Sequence, residues 1–562
     1  MPTAEVDFQA LRFEHTRHAD QDAPEAARHP VIVVGAGPVG LALAIDLAQR
    51  GTRVVLLDND NTLSTGSRAI CFAKRTLEIF DRLGCGQRMV DKGVSWNVGK
   101  VFFRDAEIYR FDLLAEAGHA RPAFINLQQY YVEGYLAQRA AELPLIDLRW
   151  NNKVVGLDQH GDHALLTIET PEGPYRLRAE HVVACDGGRS TLRELSGQQS
   201  QGRVFRDRFL IADVKMKLDR PAERWFWFDP PFHPKQSVLL HMQPDGVWRI
   251  DFQLGWDADP EVEKRPENII PRVKALLANS TMKDAQFELE WASVYTFACT
   301  RMAHFRVGRV LFAGDAAHGV SPFGARGANS GVQDADNLAW KLALVANRQA
   351  PDALLDTYAS EREFAADENI LHSTRATDFI TPKSEISRLF RDAVLDLARS
   401  HPFARTLVNS GRLSVPATLL RSPLNTPDST HFEGRMCPGA AAADAPVMCA
   451  DERASWLLRE LGDGFTALVY GGVDAGRVAS QLQQAAAGLA TLRVVQVRPC
   501  EAAAHADAPH SLVDHEGLVA ERYDLRPGTV YLLRPDQHVC ARWRQPSTQT
   551  VRTALQRALA LA

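Results

Sequence analysis

The sequence predicts an α/β fold in which a unit of parallel strands is interleaved with an antiparallel sheet, followed by a third unit of strands and helices. Three observations carry this. First, HPVIVVGAGPVGLALAIDLAQRGTRVVLLDND (29–60) reads as strand, glycine-rich turn, helix and second strand. Second, two later apolar strands end in an acid beside glycine, in HVVACDGGRS from His181 and VLFAGDAAHG from Val310. Third, from Gln201 to Phe297 apolar residues alternate or run in short stretches between turn residues.

The first segment is the most specific. Val31 to Val34 form a continuous apolar strand, and Gly35, Gly37 and Gly40 give G-x-G-x-x-G, with Pro38 inside the turn. The first glycine permits the tight turn, the second lets backbone approach a diphosphate, and the third lets helix pack on strand. The helix N-terminus then faces the anion with free N–H groups. Leu41 to Gln49 continue the helix, Gly51 ends it, and Val54 to Leu57 form the second strand. Asp58, 23 positions after Gly35, stands where an acid accepts hydrogen bonds from an adenosine ribose. This pattern alone does not choose between FAD and NAD. A bare glycine-rich surface turn is the bland alternative, and the agreement of strand, helix, second strand and acid argues against it.

Length and composition bound the rest. The 562 residues exceed one ordinary core, so several units are expected. The net charge of -5 is small for this length and gives no electrostatic case for nucleic acid or an anionic membrane. No apolar run reaches the ~18 residues of a membrane span. Residues 1–28 are polar, mixed in charge and without a signal-peptide centre, so they are expected as a mobile or surface-packed extension. The eight cysteines form no Cys-x-x-Cys pair and have no zinc spacing, which points to free thiols in a reducing cytoplasm and to no metal site.

Together the three signatures resemble those of FAD-dependent aromatic hydroxylases of the para-hydroxybenzoate hydroxylase type, in order and spacing, from about Val31 to Arg348. The resemblance implies a Rossmann-like FAD-binding domain and places Arg68 and Gln128 at flavin-contacting positions. It implies that Asp186, Gly187, Gly314 and Asp315 also bind FAD. Read from the residues, Asp315 at a strand's carboxyl end suits a polyol such as ribityl; its alternative, like that of Asp186, is a turn former.

The loop after Asp315 is short of side chains, and the next segment is helical by its apolar period. Gly327, Ala328 and Asn329 therefore lie near a helix N-terminus, which suits the charge at a reduced flavin's N1 and O2 edge. Arg326 adds a positive charge there, or makes a solvent-facing salt bridge. The resemblance implies that Pro322 packs beside the flavin's reactive edge. His318 is read as a structural hydrogen-bonder. The implied activity is NADPH or NADH reduction of FAD, addition of O2 to give a C4a-hydroperoxide, and hydroxylation of a phenol.

In the alternating region, Trp227 is a candidate wall of an aromatic pocket, with core packing as the alternative. Arg249, Asp251 and Gln253 lie on one side of a strand, facing either pocket or solvent. They and Trp227 are the candidate substrate contacts. No motif fixes a base; His241 joins Pro322 and Arg326 in the candidate catalytic set. QPDGVW is expected as a hairpin connection.

The expected boundaries are 1–28 extension, 29–200 and 299–382 FAD-binding domain, 201–298 substrate sheet, 383–430 helices and linker, and 431–562 C-terminal domain. Lys383 to Leu413 are expected helical. The last unit resembles the thioredoxin-like tail of phenol and 3-(3-hydroxyphenyl)propionate hydroxylases. Lacking Cys-x-x-Cys, it suits a structural or homodimer-stabilising role better than redox exchange. Two other readings fit the same motifs: a flavin reductase or oxidase without oxygen transfer, and a flavin-stabilised binding module.

Overall fold

The computed structural model describes residues 6–66, 68–408, 414–471, 475–500 and 510–561. The chain starts with β1 (Ala27–Val34), α1 (Pro38–Gln49) and β2 (Val54–Leu57). α2 (Gln129–Ala141), β3 (Ile146–Arg149) and β4 (Tyr175–Ala184) follow. The second sheet is built from β5 (Ser200–Met216), β6 (Arg224–Phe228), β7 (Ser237–Met242) and β8 (Val247–Leu254), then α3 (Pro266–Ala278) and β9 (Phe287–Met302). β10 (Val310–Phe312), α4 (Gly327–Ala346), α5 (Leu354–Ile380) and α6 (Glu385–Ser400) close this part of the chain.

The parallel sheet has the order β10-β4-β1-β2-β3. Its central strands are apolar on both faces, as a sheet covered twice requires: Val31, Ile32, Val33 and Val54 to Leu57 are buried. Because neighbouring strands run the same way, the three glycine turns after β1, β4 and β10 emerge at one end.

The second sheet is antiparallel over β9-β5-β8-β7-β6. It continues through β6 into two strands at residues 98–103 and 106–112, the first of them parallel to β6. Those strands come from the stretch expected in the first part of the FAD domain, so the chain crosses between the sheets before residue 201. The Pro244–Gly246 turn joins β7 to β8, with Asp245 at φ 64° and Gly246 at φ 70°, as the hairpin reading expects.

One face of this sheet is apolar. Leu210, Ala212, Trp227, Leu240, Ile250 and Phe252 pack there against Ile269, Val273 and Leu276 of α3. The other face carries the polar residues described below beside a second apolar cluster, in which Phe209, Phe226, Phe228 and Leu239 meet Phe323 of the loop after β10 and Phe379 and Ile380 of α5.

The N-terminal extension is surface-packed. Phe8 is buried edge-on against Tyr131 and Tyr135, and Phe13 stacks on Trp150 at 4.3 Å. Of the helices expected over Lys383–Leu413, α6 and a short turn at Pro402–Arg405 are present; residues 409–413 lie outside the described ones.

The C-terminal unit contains β11 (Phe465–Tyr470), α7 (Ala475–Ala486), β12 (Leu492–Pro499), β13 (Val530–Leu533), β14 (Val539–Trp543) and α8 (Thr548–Ala558). β11 and β12 are parallel, β13 and β14 antiparallel to their neighbours, in the order β12-β11-β13-β14. The unit docks on α4 and α5 through buried ions. Glu361 Oε1 accepts from Arg534 Nη1 at 2.6 Å, and Glu361 Oε2 accepts from Lys341 Nζ at 2.8 Å. Arg534 also pairs with Asp536. Burial pushes the Glu361 carboxyl up, but the two cations pull it further, well below its ordinary range.

Candidate active site

The three turns at the end of the parallel sheet touch one another. Gly35 has φ 104°, and a Cβ there would lie 2.4 Å from the Cys185 carbonyl oxygen. A Cβ on Gly40 would lie 1.9 Å from the Gly35 oxygen. Both glycines are therefore required by the protein's own packing. Gly37 differs: a Cβ there, or on Gly187, meets no atom within 4 Å. These two backbones border open space, which is what a diphosphate passing over the helix N-terminus needs. Pro38 opens α1, where its missing N–H costs nothing.

Each acid has a definite place. Asp58 Oδ2 accepts from the Ala36 N–H at 2.5 Å and Oδ1 from Asp60 at 2.8 Å, tying the first turn to the end of β2. Asp186 Oδ2 accepts from the Leu192 N–H at 3.1 Å, while its buried Oδ1 has no partner among the described residues. Asp315 is closely surrounded by protein, and burial pushes its carboxyl up; the same side chain is accessible, so it opens into a cleft rather than to bulk water. Tyr295 of β9 lies close by, its hydroxyl pushed up by burial and then by the Asp315 charge.

Behind the loop a buried staple holds the turn. Asp334 of α4 accepts from the Gly314 N–H at 3.0 Å, faces His318 Nε2 at 2.6 Å and accepts from Arg362 Nε at 2.6 Å. His318 is thus a structural hydrogen-bonder in this geometry. Arg193 ties the second turn to the third, donating to the carbonyls of Ala316 (2.9 Å) and Gly188 (2.6 Å).

The loop then turns at Pro322, which is exposed, and the Ala325 N–H donates to its carbonyl at 3.1 Å. Gly324 and Ala325 take φ 103° and 51°, the second a conformation that costs a non-glycine residue about 1–2 kcal/mol. Gly327, Ala328 and Asn329 form the first turn of α4, where helix geometry leaves N–H groups unpaired. The Asn329 side chain faces the other way, bonding Ala73 N–H and the Cys71 carbonyl. Arg326 is buried and donates to Asn369 at 2.7 Å, so its guanidinium is an internal charge and not a solvent-facing salt bridge.

The polar face of the second sheet lies opposite. Arg249, opposite both Asp213 and His241 in register, pairs with Asp213 at 3.2 Å and donates to the Arg68 carbonyl at 3.1 Å. Arg68 itself is exposed. His241 Nε2 is 3.9 Å from Asp251, and its Nδ1 has no partner among the described residues. Burial drives the His241 imidazole well below its ordinary range, and the Arg224 and Arg249 charges add to this. Burial pushes the Asp251 carboxyl up to about 6. Gln253 shares this side but accepts from the Ser237 N–H at 3.0 Å. Trp227 does not share it: strand alternation turns its indole into the apolar layer against α3. Thus Arg249, Asp251 and Gln253 face inward together, and Trp227 stands apart from them.

A cavity of about 440 Å3 is lined by Gln128, Tyr130, Asp213 and Trp291 among others; Asp213 is the polar-face residue that reaches it, while His241, Arg249, Asp251 and Gln253 do not line it. The buried Gln128 Oε1 has no partner among the described residues, and its Nε2 reaches the Pro244 carbonyl at 3.4 Å. Asp213, Arg193, Asp334 and Tyr295 were missed by sequence reading. Alternation around Asp213 and the DGGRSTLRE run around Arg193 were available as signals; the Asp334 contacts are purely tertiary.

Three glycine turns, an open backbone path and unpaired acceptors at the end of a parallel sheet define a dinucleotide-binding α/β protein whose site fits FAD. Comparison with known proteins gives the particular family. Residues 28–373 match the FAD binding domain family and residues 439–558 the HcaD C-terminal domain. The chain is 30% identical to 6-methylpretetramide 4-monooxygenase of Streptomyces rimosus, over 95% of this chain and 94% of that protein. It is 34% identical to a probable NADH-specific resorcinol 4-hydroxylase of Rhodococcus jostii (strain RHA1); that match spans 59% of this chain and 62% of the relative. Its fold is similar to that of the flavin-dependent monooxygenase PieE, solved with FAD and substrate, with a TM-score of 0.80, 22% identity, and 96% and 100% of the two chains covered. The chain belongs to the family of FAD-dependent aromatic hydroxylases, which use FAD, a nicotinamide reductant and O2. Among the described residues no helix is long and apolar enough to cross a membrane.

Proposed function

We propose that this protein hydroxylates a small phenolic substrate held between the loop 314–329 and the polar face of the antiparallel sheet. The observation that carries this reading is the His241–Asp251 pair, 3.9 Å apart on the sheet face whose Phe209 packs against Phe323 of the loop. Bound FAD supplies hydride acceptance from NAD(P)H and activation of O2. The residues assigned to hold it are Gly37, Pro38 and Gly187 at the diphosphate, Asp58 toward the adenosine end, Asp186, Gly314 and Asp315 toward the ribityl chain, and Arg68 and Gln128 toward the flavin, Arg68 from beside Arg249. Pro322, Gly327, Ala328 and Asn329 are assigned to the ring. Arg326, fixed by Asn369, places a positive charge at the first turn of α4.

The chain's own groups handle the substrate's proton. His241 is kept neutral by burial, so its free Nδ1 can accept the phenol's O–H. Asp251, ionised above about pH 6, stabilises the proton as it leaves oxygen. Loss of that proton raises electron density on the ring. Arg249 and Gln253 orient the substrate from the same strand. Relatives named for resorcinol and para-nitrophenol support a small phenol. The test is NAD(P)H consumption across a phenol panel, with product mass. Consumption that rises with a phenol and yields only peroxide would favour the oxidase alternative.

The C-terminal unit is read as thioredoxin-like and structural. Its β12-β11-β13-β14 order, closed by α8, supports the first point, and its buried ionic docking supports the second. We assign a homodimer to α6. Ile386, Leu389 and Phe390 are 80%, 73% and 61% exposed on one face with Leu397. Antiparallel pairing of two copies about Asp392 sets Glu385 against Arg399 and Arg388 against Asp396. The mass of wild type and Leu389→Glu by light scattering tests this; a monomeric wild type refutes it. All eight cysteines are unpaired, which supports a reducing cytoplasm.

A further inference from the structure

A small third sheet connects the flavin loop to the substrate sheet. Residues 71–73, 94–96 and 124–126 form it, all antiparallel, with 124–126 in the middle. On one side α4 holds it. Asn329, in the first turn of that helix, accepts from the Ala73 N–H at 2.8 Å and donates to the Cys71 carbonyl at 2.9 Å. On the other side Asn126, opposite Cys71 in register, reaches the substrate sheet. Its Nδ2 donates to the Met242 carbonyl at 2.7 Å, one residue after His241 at the end of β7.

Asn126 is only 3% exposed, and its amide is oriented by two donors. Its Oδ1 accepts from Trp96 Nε1 at 2.8 Å and from Cys71 Sγ at 3.2 Å. Burial pushes the Cys71 thiol up to about 11, so it keeps its proton. With the oxygen so engaged, only the N–H end of the amide can face Met242. The Trp96 indole is itself held flat on Phe124 at 5.2 Å. The following turn is gripped again at the surface, where the Tyr131 hydroxyl donates to Asp245 Oδ2 at 2.8 Å and Lys92 Nζ to Oδ1 at 2.7 Å. Asp245 is exposed, so its ion pair holds the turn weakly. The buried amide is the stronger hold, because breaking it strands polar groups away from water.

We infer that Asn126 is a positioning residue that fixes the His241 end of β7 to the strands tied to the flavin loop, so that a phenol on His241 lies within reach of the flavin. This rests on the hydroxylase reading and on His241 as the acceptor of the phenol's proton. It goes beyond that reading because Asn126 acts through the Met242 backbone and has no part in binding or proton transfer.

The test uses the FAD-loaded full chain with resorcinol. Product per NAD(P)H, kcat, KM and melting temperature are measured in wild type, Asn126→Asp, Trp96→Phe and Lys92→Met, and in His241→Gln with and without Asn126→Asp. Asn126→Asp keeps the acceptor for Trp96 and Cys71 but turns oxygen toward the Met242 carbonyl. Product per NAD(P)H and kcat should fall about fivefold, the size of one hydrogen bond, while KM moves less. Trp96→Phe frees the amide and should shift the same quantities about two- to threefold, which carries the test if the Asp variant does not fold. Lys92→Met should change them less than about twofold. In the His241→Gln background Asn126→Asp should add no further loss, as expected of a residue acting through His241. Wild-type coupling in both Asn126→Asp and Trp96→Phe, an equal loss in Lys92→Met, or an undiminished loss in the His241→Gln background would overturn the inference. A wild type that forms no product removes the hydroxylase reading by itself. Asn126 is then judged on the resorcinol-induced flavin absorbance change, whose shape Asn126→Asp should alter when His241 is present and leave unaltered in His241→Gln; the same spectrum with and without Asn126→Asp beside His241 would overturn the positioning role.

Discussion

Gly37→Ala separates what the protein needs from what its ligand needs. Gly37 precedes α1 with φ -73° and ψ -176°, which alanine adopts freely, and an added Cβ meets nothing within 4 Å. The ligand-free protein should therefore keep its stability or gain about 0.4–1 kcal/mol from a stiffer unfolded chain. FAD binding should suffer, because the methyl group enters the path of the diphosphate. At FAD concentrations about 100 times Kd, wild type gains about 2.7 kcal/mol from the ligand. A loss of about 100-fold in affinity reduces that gain to about 0.4 kcal/mol. Gly40→Ala is the contrast, since its Cβ falls 1.9 Å from the Gly35 oxygen and destabilises the protein with or without ligand. The assay is thermal unfolding of FAD-stripped protein with and without FAD, beside a fluorescence titration of FAD. A Gly37→Ala variant with wild-type FAD stabilisation, or one destabilised before FAD is added, would show that the Gly37 backbone does not border the diphosphate.

Other substitutions probe different links. Asp315→Ala removes a carboxyl that opens into the cleft, and should lower FAD occupancy with little change in the stripped protein; full occupancy after purification counts against the ribityl assignment. With Asp251 pushed up to about 6, kcat/KM for a phenol should rise through that pH, and Asp251→Asn should flatten the limb and lower the rate about 10²–10⁴-fold. The same raised value stabilises the fold below about pH 4, and that stability is lost as pH rises through 6, by up to ~3 kcal/mol. Melting of wild type and Asp251→Asn across that window reads it; parallel profiles would contradict it. Glu361→Gln leaves Lys341 and Arg534 poorly compensated at the docking interface and should cost about 3–5 kcal/mol, seen as a lower melting temperature and faster proteolysis of the C-terminal unit. An unchanged melt would show that these ions do not hold the interface.

The parts legible in the sequence are those where one residue's identity states a backbone requirement. Gly35 and Gly40 are dictated by contacts inside 3 Å, and strand β2 runs over the residues its apolar run marks. Alternation correctly put Arg249, Asp251 and Gln253 on one side, but it cannot say what that side faces; β5 and β7 decide it. Trp227 was harder, because four consecutive aromatics carry no alternation, and only pairing with Val238 in β7 reveals its side. The strands at 98–112 join the second sheet through β6, a pairing more than 100 residues away in sequence that no local pattern records. The staple around Asp334 unites β10, α4 and α5 and is likewise invisible until they meet.

The central claim is that one oxygen atom from O2 enters a phenol at this site. The most direct measurement is the mass of the aromatic product formed under 18O2 with FAD-loaded enzyme, NAD(P)H and the best-bound phenol. A hydroxylated product carrying one 18O per NAD(P)H consumed is expected. Unmodified phenol with labelled hydrogen peroxide, or a product whose new oxygen comes from water, would contradict it.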